Sequence, residues 1–248
     1  MYVYVITPLR QLRHPYRVVS VDKIALKTWR LTIAPDTDER IAFDAGQFCW
    51  LTIDRSPFAV TEHPFSISSC PADGPPIEFT IKEAGDFTGN IGSVPVGAPA
   101  FIDGPHGNLT LRGRSGTGIA FIAGGVGLAP IMSILRQLRA DRVRRPLMLL
   151  YGNRVVEQIM FRSELDEMAK SLDIEIHHIL SEPPPDWDGA VGQLSAAMLR
   201  EYLKFDGHAQ WLYVVCGPAP MINSVEDSLE ELGIPLEQIL SEKFSYDG

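Results

Sequence analysis

Residues 118–135 form a run of 18 without a charge, and no other stretch limits the fold of this chain so strongly. That length reaches the lower bound for a helix crossing a bilayer. The content argues against one: Gly124, Gly125 and Gly127 fall in the middle and Pro130 follows, and each would weaken a continuous lipid-facing helix. The same residues suit a buried strand at 119–123, a tight turn, and a helix at 127–140 with Leu128, Ile131, Met132, Leu135 and Leu138 at helical spacing. A unit of this kind opens a parallel sheet.

The alternation continues downstream. Strands are predicted at 147–151, 174–180, 211–216 and 239–244, and helices at 162–171, 195–203 and 220–232, which together describe a doubly wound parallel sheet. Upstream, between residues 16 and 111, the pattern is different. Trp29, Leu31 and Ile33 alternate with polar neighbours, as do Ile77, Phe79 and Ile81, residues 47–53 form a mostly apolar strand, and Pro-Asp and Gly-containing turns separate such segments. Six or so short strands predict a small antiparallel β-barrel. The polar, glycine-rich stretch 111–118 divides the halves, so the expected domains are 15–112 and 113–248, after a basic segment at 1–14. A length of 248 residues is enough for two cores.

Chemistry-bearing residues cluster where strands end. Gly125-Val126-Gly127-Leu128-Ala129-Pro130, preceded by Gly124, stands between the first strand of the sheet and its helix, the place of a dinucleotide-binding turn whose free amides meet a pyrophosphate. The second strand runs into Gly152, Asn153 and Arg154 with no acid before Glu157; Arg154 could meet a 2'-phosphate, which favours NADPH over NADH, or it could simply be solvated. Cys216, Gly217 and Pro218 end a later strand, where ligands bind in such sheets. Cys216 is then either inert packing or a small polarisable neighbour of a nicotinamide. Phe244 could cover a ring and Glu242 supplies a nearby carboxylate, with core or surface roles as the alternatives. The arginines at 136, 139, 142, 144 and 145 read as a solvated helix face, or a docking surface for an acidic partner.

In the barrel half, His63-Pro64-Phe65-Ser66-Ile67-Ser68-Ser69 places a small hydroxyl directly after an aromatic ring on a strand. A flavin needs an apolar aromatic wall and a hydroxyl near its hydride-accepting atom; an ordinary barrel strand with serines in water has the same pattern. Gly85-Asp86-Phe87-Thr88-Gly89 supplies a second candidate, with Thr88 as N-cap of a short helix presenting amides to a pyrophosphate and Lys82 adding charge. A capped connector is the plain alternative.

A net charge of -9 argues against general nucleic-acid binding. Cys49, Cys70 and Cys216 lie far apart, so neither a disulfide framework nor a metal site is suggested, and a reducing compartment fits best. Residues 1–6 followed by Arg10, Arg13 and Arg17 read either as a surface strand or as the last turn of a membrane helix with its cytoplasmic basic flank.

Taken in order, His63 to Ser66, Gly85 to Thr88, Gly125 to Pro130 and Cys216 to Pro218 make the chain resemble the ferredoxin-NADP reductase-like family over roughly residues 15–244. Most of that family has Arg-x-Tyr-Ser at the flavin strand. His63 and Phe65 here look like the dehydrogenase domain of ferric reductases and NADPH oxidases. The resemblance implies FAD and NADPH, with NADH as an alternative, a cytoplasmic place at the membrane face, and electrons passed to a haem-bearing transmembrane domain or a soluble acceptor. It also implies that Phe65 stacks on the isoalloxazine, Ser66 bonds its reactive nitrogen and His63 replaces the phosphate-binding arginine.

Overall fold

Alternating apolar and polar residues build the first half of the molecule. After a short helix α1 (Thr7–Gln11), the strands are β1 (Tyr16–Ala25), β2 (Thr28–Pro35), β3 (Phe48–Ile53), β4 (His63–Ser66), β5 (Ile77–Lys82) and β6 (Pro99–His106). They pair antiparallel in the order β4-β3-β6-β1-β2-β5. The ends of this sheet meet through an Ile67–Phe79 bridge and a bond from the Ser68 amide to the Glu78 carbonyl at 2.8 Å, which closes the barrel. Every second side chain turns inward, giving a core that includes Leu31, Ile33, Leu51, Phe79 and Ile81. This computed structural model describes residues 7–37, 40–58 and 63–244. Residues 1–6, read above as a surface strand or the last turn of a membrane helix, lie outside them, whereas Arg10 of the basic flank stands in α1 and Arg17 in β1; among the described residues no helix is long and apolar enough to cross a membrane.

The uncharged run becomes strand, turn and helix. β7 (Ile119–Gly124) is buried along its whole length and passes through a 3-10 turn at Gly125–Gly127 into α2 (Leu128–Ala140). There follow β8 (Leu147–Asn153), α3 (Arg162–Met168), β9 (Ile174–Leu180), a two-residue β10 (Ala190–Val191), α4 (Ala196–Leu203), β11 (Leu212–Pro218), α5 (Ala219–Glu231) and β12 (Ile239–Phe244). The parallel order β10-β9-β8-β7-β11-β12 runs outward from β7, returns, and continues on its other side. Residues of α2 and α3 pack on one face and residues of α4 and α5 on the other, so both faces are covered. The topological switch point lies between β7 and β11, at the Gly125 turn.

One expectation about α2 is overturned. Arg142 and Arg144 are exposed, but Arg136 is 7% exposed and clamped between Glu78 of the barrel and Glu164 of α3, both at 2.7 Å. Helical spacing places Arg136 beside Ser133 on a side of α2 that the barrel covers; the period marks the side and not what lies against it. Arg145 is half-buried too and donates to the Gly116 carbonyl at 3.2 Å.

Candidate functional site

The His63–Ser66 strand is the edge strand β4, paired with β3 on one side. Its other edge is open until the Ile67–Phe79 bridge. Alternation sends His63 and Phe65 to one face and Pro64 and Ser66 to the other. His63 stacks on Phe87 at 4.3 Å between centroids, and Phe65 lies 6.1 Å from the same ring. These three rings form an aromatic wall against the barrel core, and Phe87, although inside the Gly85–Thr88 motif, carried no sequence signal of its own. Burial, and then the nearby charge of Arg55, lowers the His63 pKa below the ordinary histidine value. A neutral ring stacked on Phe87 is a poor substitute for the phosphate-binding arginine, and Arg55 is a cation close enough to act on it.

For the expected flavin, the test of fit is the hydroxyl. Ser66 is 3% exposed and its Oγ makes no hydrogen bond, so a buried donor waits at the end of the aromatic strand. Ser66 faces Phe48 across the ladder, and Phe48 faces His106 on its other side. A Cβ added at Gly107 would lie 3.0 Å from the Phe48 ring and 3.1 Å from Glu242 Oε2. This brings a carboxylate from the far end of the chain to Gly107, against which Phe48, the ladder partner of Ser66, also lies. Burial pushes the Glu242 pKa up to about 7. Glu242 pairs in register with Cys216, whose thiol burial and then Glu242 hold well above its usual value, so it stays protonated. The side chain of Phe244 lies outside the described structure.

The Gly85 loop differs from its expected form. Thr88 does not cap a helix. It starts a 3-10 turn (Thr88–Ser93), and its hydroxyl accepts the amides of Ala84 at 2.8 Å and Gly85 at 3.1 Å, closing the loop on itself. The Gly89 amide donates to the Gly85 carbonyl at 2.7 Å. Lys82 ends β5 beside this loop, and among the described residues it forms no ion pair.

At the switch point the three glycines have separate reasons. A Cβ on Gly127 would overlap the Cys216 carbonyl, and one on Gly124 the Met221 sulfur, so these two permit close packing of the turn on β11 and the start of α5. Gly125 has φ +53° with open space above it, which is where a pyrophosphate can approach. Pro130 sits in the first turn of α2 and is fully buried. Gly217 and Pro218 complete β11 beside Gly124. At the end of β8, Asn153 is 9% exposed and its side-chain amide lies beside the Tyr151 hydroxyl, where the strand ends open toward a nucleotide. Arg154 is exposed, 3.9 Å from Glu182, an acid just beyond β9 that sequence spacing along the second strand could not reveal.

A model of the oxidoreductase NAD-binding domain matches residues 121–227. The chain is 33% identical over 171 residues to cytochrome b5 reductase 4 of Danio rerio, covering 67% of this chain and 32% of that protein. It is 29% identical over 247 residues to the reductase component of propane 2-monooxygenase of Rhodococcus jostii strain RHA1, covering 96% of this chain and 65% of that protein. The chain thus spans about a third of the first relative's length and just under two thirds of the second's. A ferredoxin NADP+ reductase from Neisseria gonorrhoeae with bound FAD and NADP shares the fold at TM-score 0.78 and 17% identity, over 92% of this chain and 97% of that one. A flavin-type barrel followed by a parallel nicotinamide-type sheet, with these motifs at their junction, gives the chain the fold of the ferredoxin-NADP reductase-like FAD- and NAD(P)-binding proteins, and residues 121–227 match the oxidoreductase NAD-binding domain family.

Proposed function

We propose that the chain is an FAD-dependent reductase module that takes hydride from NADPH, with NADH also accepted, and passes electrons singly to a haem or ferric centre. The observation that supports this reading is the run of neighbours that links barrel to sheet: Ser66 pairs with Phe48, Phe48 and Glu242 both lie against Gly107, and Glu242 pairs with Cys216. Bound FAD supplies the conversion of a two-electron donor into one-electron steps. The chain's own part is positioning. Ser66 can donate to a ring nitrogen without giving up another bond, and Phe65, backed by Phe87, offers an apolar wall. Below about pH 7 Glu242 is protonated, and Cys216, buried in the core of the sheet and paired with it in register, stays a thiol, so both are neutral. Gly124, Gly125 and Gly127 admit the nicotinamide nucleotide's pyrophosphate, with Pro130 setting the helix start and Asn153, Gly217 and Pro218 lining the strand ends. Lys82, Gly85, Thr88 and Gly89, with Pro64 and Arg55 and the neutral ring of His63, would hold the phosphate end of FAD.

Arg154 supports a preference for the 2'-phosphate, and Glu182 beside it blunts that preference by competing for the guanidinium. Two acceptors have support. His63 and Phe65 in place of Arg-x-Tyr-Ser favour the ferric reductase and NADPH oxidase type, with a haem-bearing transmembrane partner at the cytoplasmic face of a membrane. The likeness to a monooxygenase reductase component favours a soluble acceptor. The test is anaerobic stopped-flow mixing of FAD-loaded protein with NADPH or NADH, followed at the flavin absorbance. Rapid bleaching is expected, faster with NADPH, and a flavin that stays oxidised with both overturns the enzyme assignment.

A further inference from the structure

We infer that Arg136 and Ser133 form a positioning latch, through which α2 holds the flavin strand at a set distance from the nucleotide turn. The inference rests on the reductase reading above. α2 begins at the Gly125–Gly127 turn, and Ser133 and Arg136 stand about one and a half to two and a half turns further along it, about 9 to 14 Å by helical rise. There it grips the barrel by its main chain. Ser133 Oγ donates to the Ser69 carbonyl at 2.5 Å and accepts the Gly46 amide at 3.3 Å. Arg136 Nη1 donates to the Ser68 carbonyl at 2.9 Å and to Glu78 at 2.7 Å. The remaining prongs, Nε and Nη2, take both oxygens of Glu164 at 2.8 and 2.7 Å. The Phe161 ring closes over the guanidinium at 5.3 Å.

Ser68 and Ser69 directly continue the strand that carries Ser66. One rigid helix therefore joins the place where the nicotinamide nucleotide docks to the backbone that places the flavin's hydroxyl partner. Because the bonds go to backbone carbonyls, they fix main-chain position and not merely side-chain packing. The guanidinium fork reaches three elements at once; a lysine ammonium offers the same charge from a single point and cannot span them. A buried ion network of this kind sets geometry more than it adds stability. Geometry is what hydride transfer needs, since a misplacement of about 1 Å can cost on the order of a hundredfold in rate.

The test compares wild type, Arg136→Lys and Ser133→Ala, each FAD-loaded. Flavin bleaching by NADPH is followed with three further measurements: NADP+ affinity from flavin difference spectra, visible circular dichroism of the flavin, and thermal melting. Expected is a bleaching rate lowered roughly ten- to a hundredfold in Arg136→Lys and less in Ser133→Ala, an altered flavin dichroism, and an NADP+ affinity within about twofold of wild type. If Arg136→Lys does not retain FAD, Ser133→Ala carries the comparison. Wild-type rates and dichroism in both variants, or a rate loss matched by lost NADP+ affinity, overturn the latch and leave the reductase reading intact. A wild type that neither NADPH nor NADH bleaches overturns both.

Discussion

Ser66 and Glu242 come from opposite ends of the chain to the surroundings of Phe48 and Gly107; Ser66 is a buried hydroxyl without a hydrogen-bond partner among the described residues, and Glu242 is a half-buried carboxylate. A buried hydroxyl that lacks a partner costs about 1–3 kcal/mol. Removing it from the FAD-free protein should therefore leave the melting temperature of Ser66→Ala unchanged or slightly higher. With FAD bound, the same variant should lose on the order of a hundred- to a thousandfold in flavin reduction rate, as when one aimed donor is removed from a reaction site. A lower melting temperature without FAD would mean that the hydroxyl is bonded within the protein. Glu242 makes a pH prediction. Its pKa stands at about 7 in the fold against an ordinary 4.5, so between those values the folded state holds a proton that the unfolded chain has released. Stability from this group is present at low pH and lost as pH rises through 7. Melting of Glu242→Gln against wild type from pH 5 to pH 8 should show the variant gaining relative stability over that window; a constant difference contradicts the assignment.

The turn between β7 and α2 shows how far a motif can be read from residue types. Its position between strand and helix was legible, because the strand's unbroken apolar run and the helix's spacing are both local. The separate tasks of its glycines were not, since Gly127 answers to the carbonyl of Cys216, a residue remote in sequence. Gly127→Ala should accordingly destabilise the protein by about 1–3 kcal/mol or more, with main chain pressed on main chain. Gly125→Ala meets open space and should cost only the strain of its positive φ, about 1–2 kcal/mol. The ligand response should be reversed in order: Gly125→Ala is expected to weaken NADP+ binding more than its effect on melting suggests. Calorimetry beside equilibrium titration separates the two, and equal loss of stability in both variants would refute the division. The Thr88 segment teaches the opposite lesson. Its composition suited a cap, yet its hydroxyl went to the amides of Ala84 and Gly85, because a turn of six residues closes on its own loop before a helix can form.

Across the molecule, the barrel and sheet are joined by a buried cation that no domain could keep alone. Arg136→Leu would leave Glu78, Glu164 and the Ser68 carbonyl without their shared donor. Breaking such a network typically costs about 3–5 kcal/mol. Calorimetry should show the barrel and sheet melting apart in the variant where the wild type melts together; one unshifted transition would contradict this. The order of the two halves, the six barrel strands, the parallel sheet and the glycine turn could all be read from the chain alone, because periodicity and turn chemistry act between residues a few places apart. Partners across long separations could not: Arg136 finds Glu78 and Ser68 at 58 and 68 residues' distance, His63 finds Phe87, and Arg154 finds Glu182. A charged or aromatic side chain takes its role from the backbone that folding lays beside it, and no local pattern records which backbone that will be.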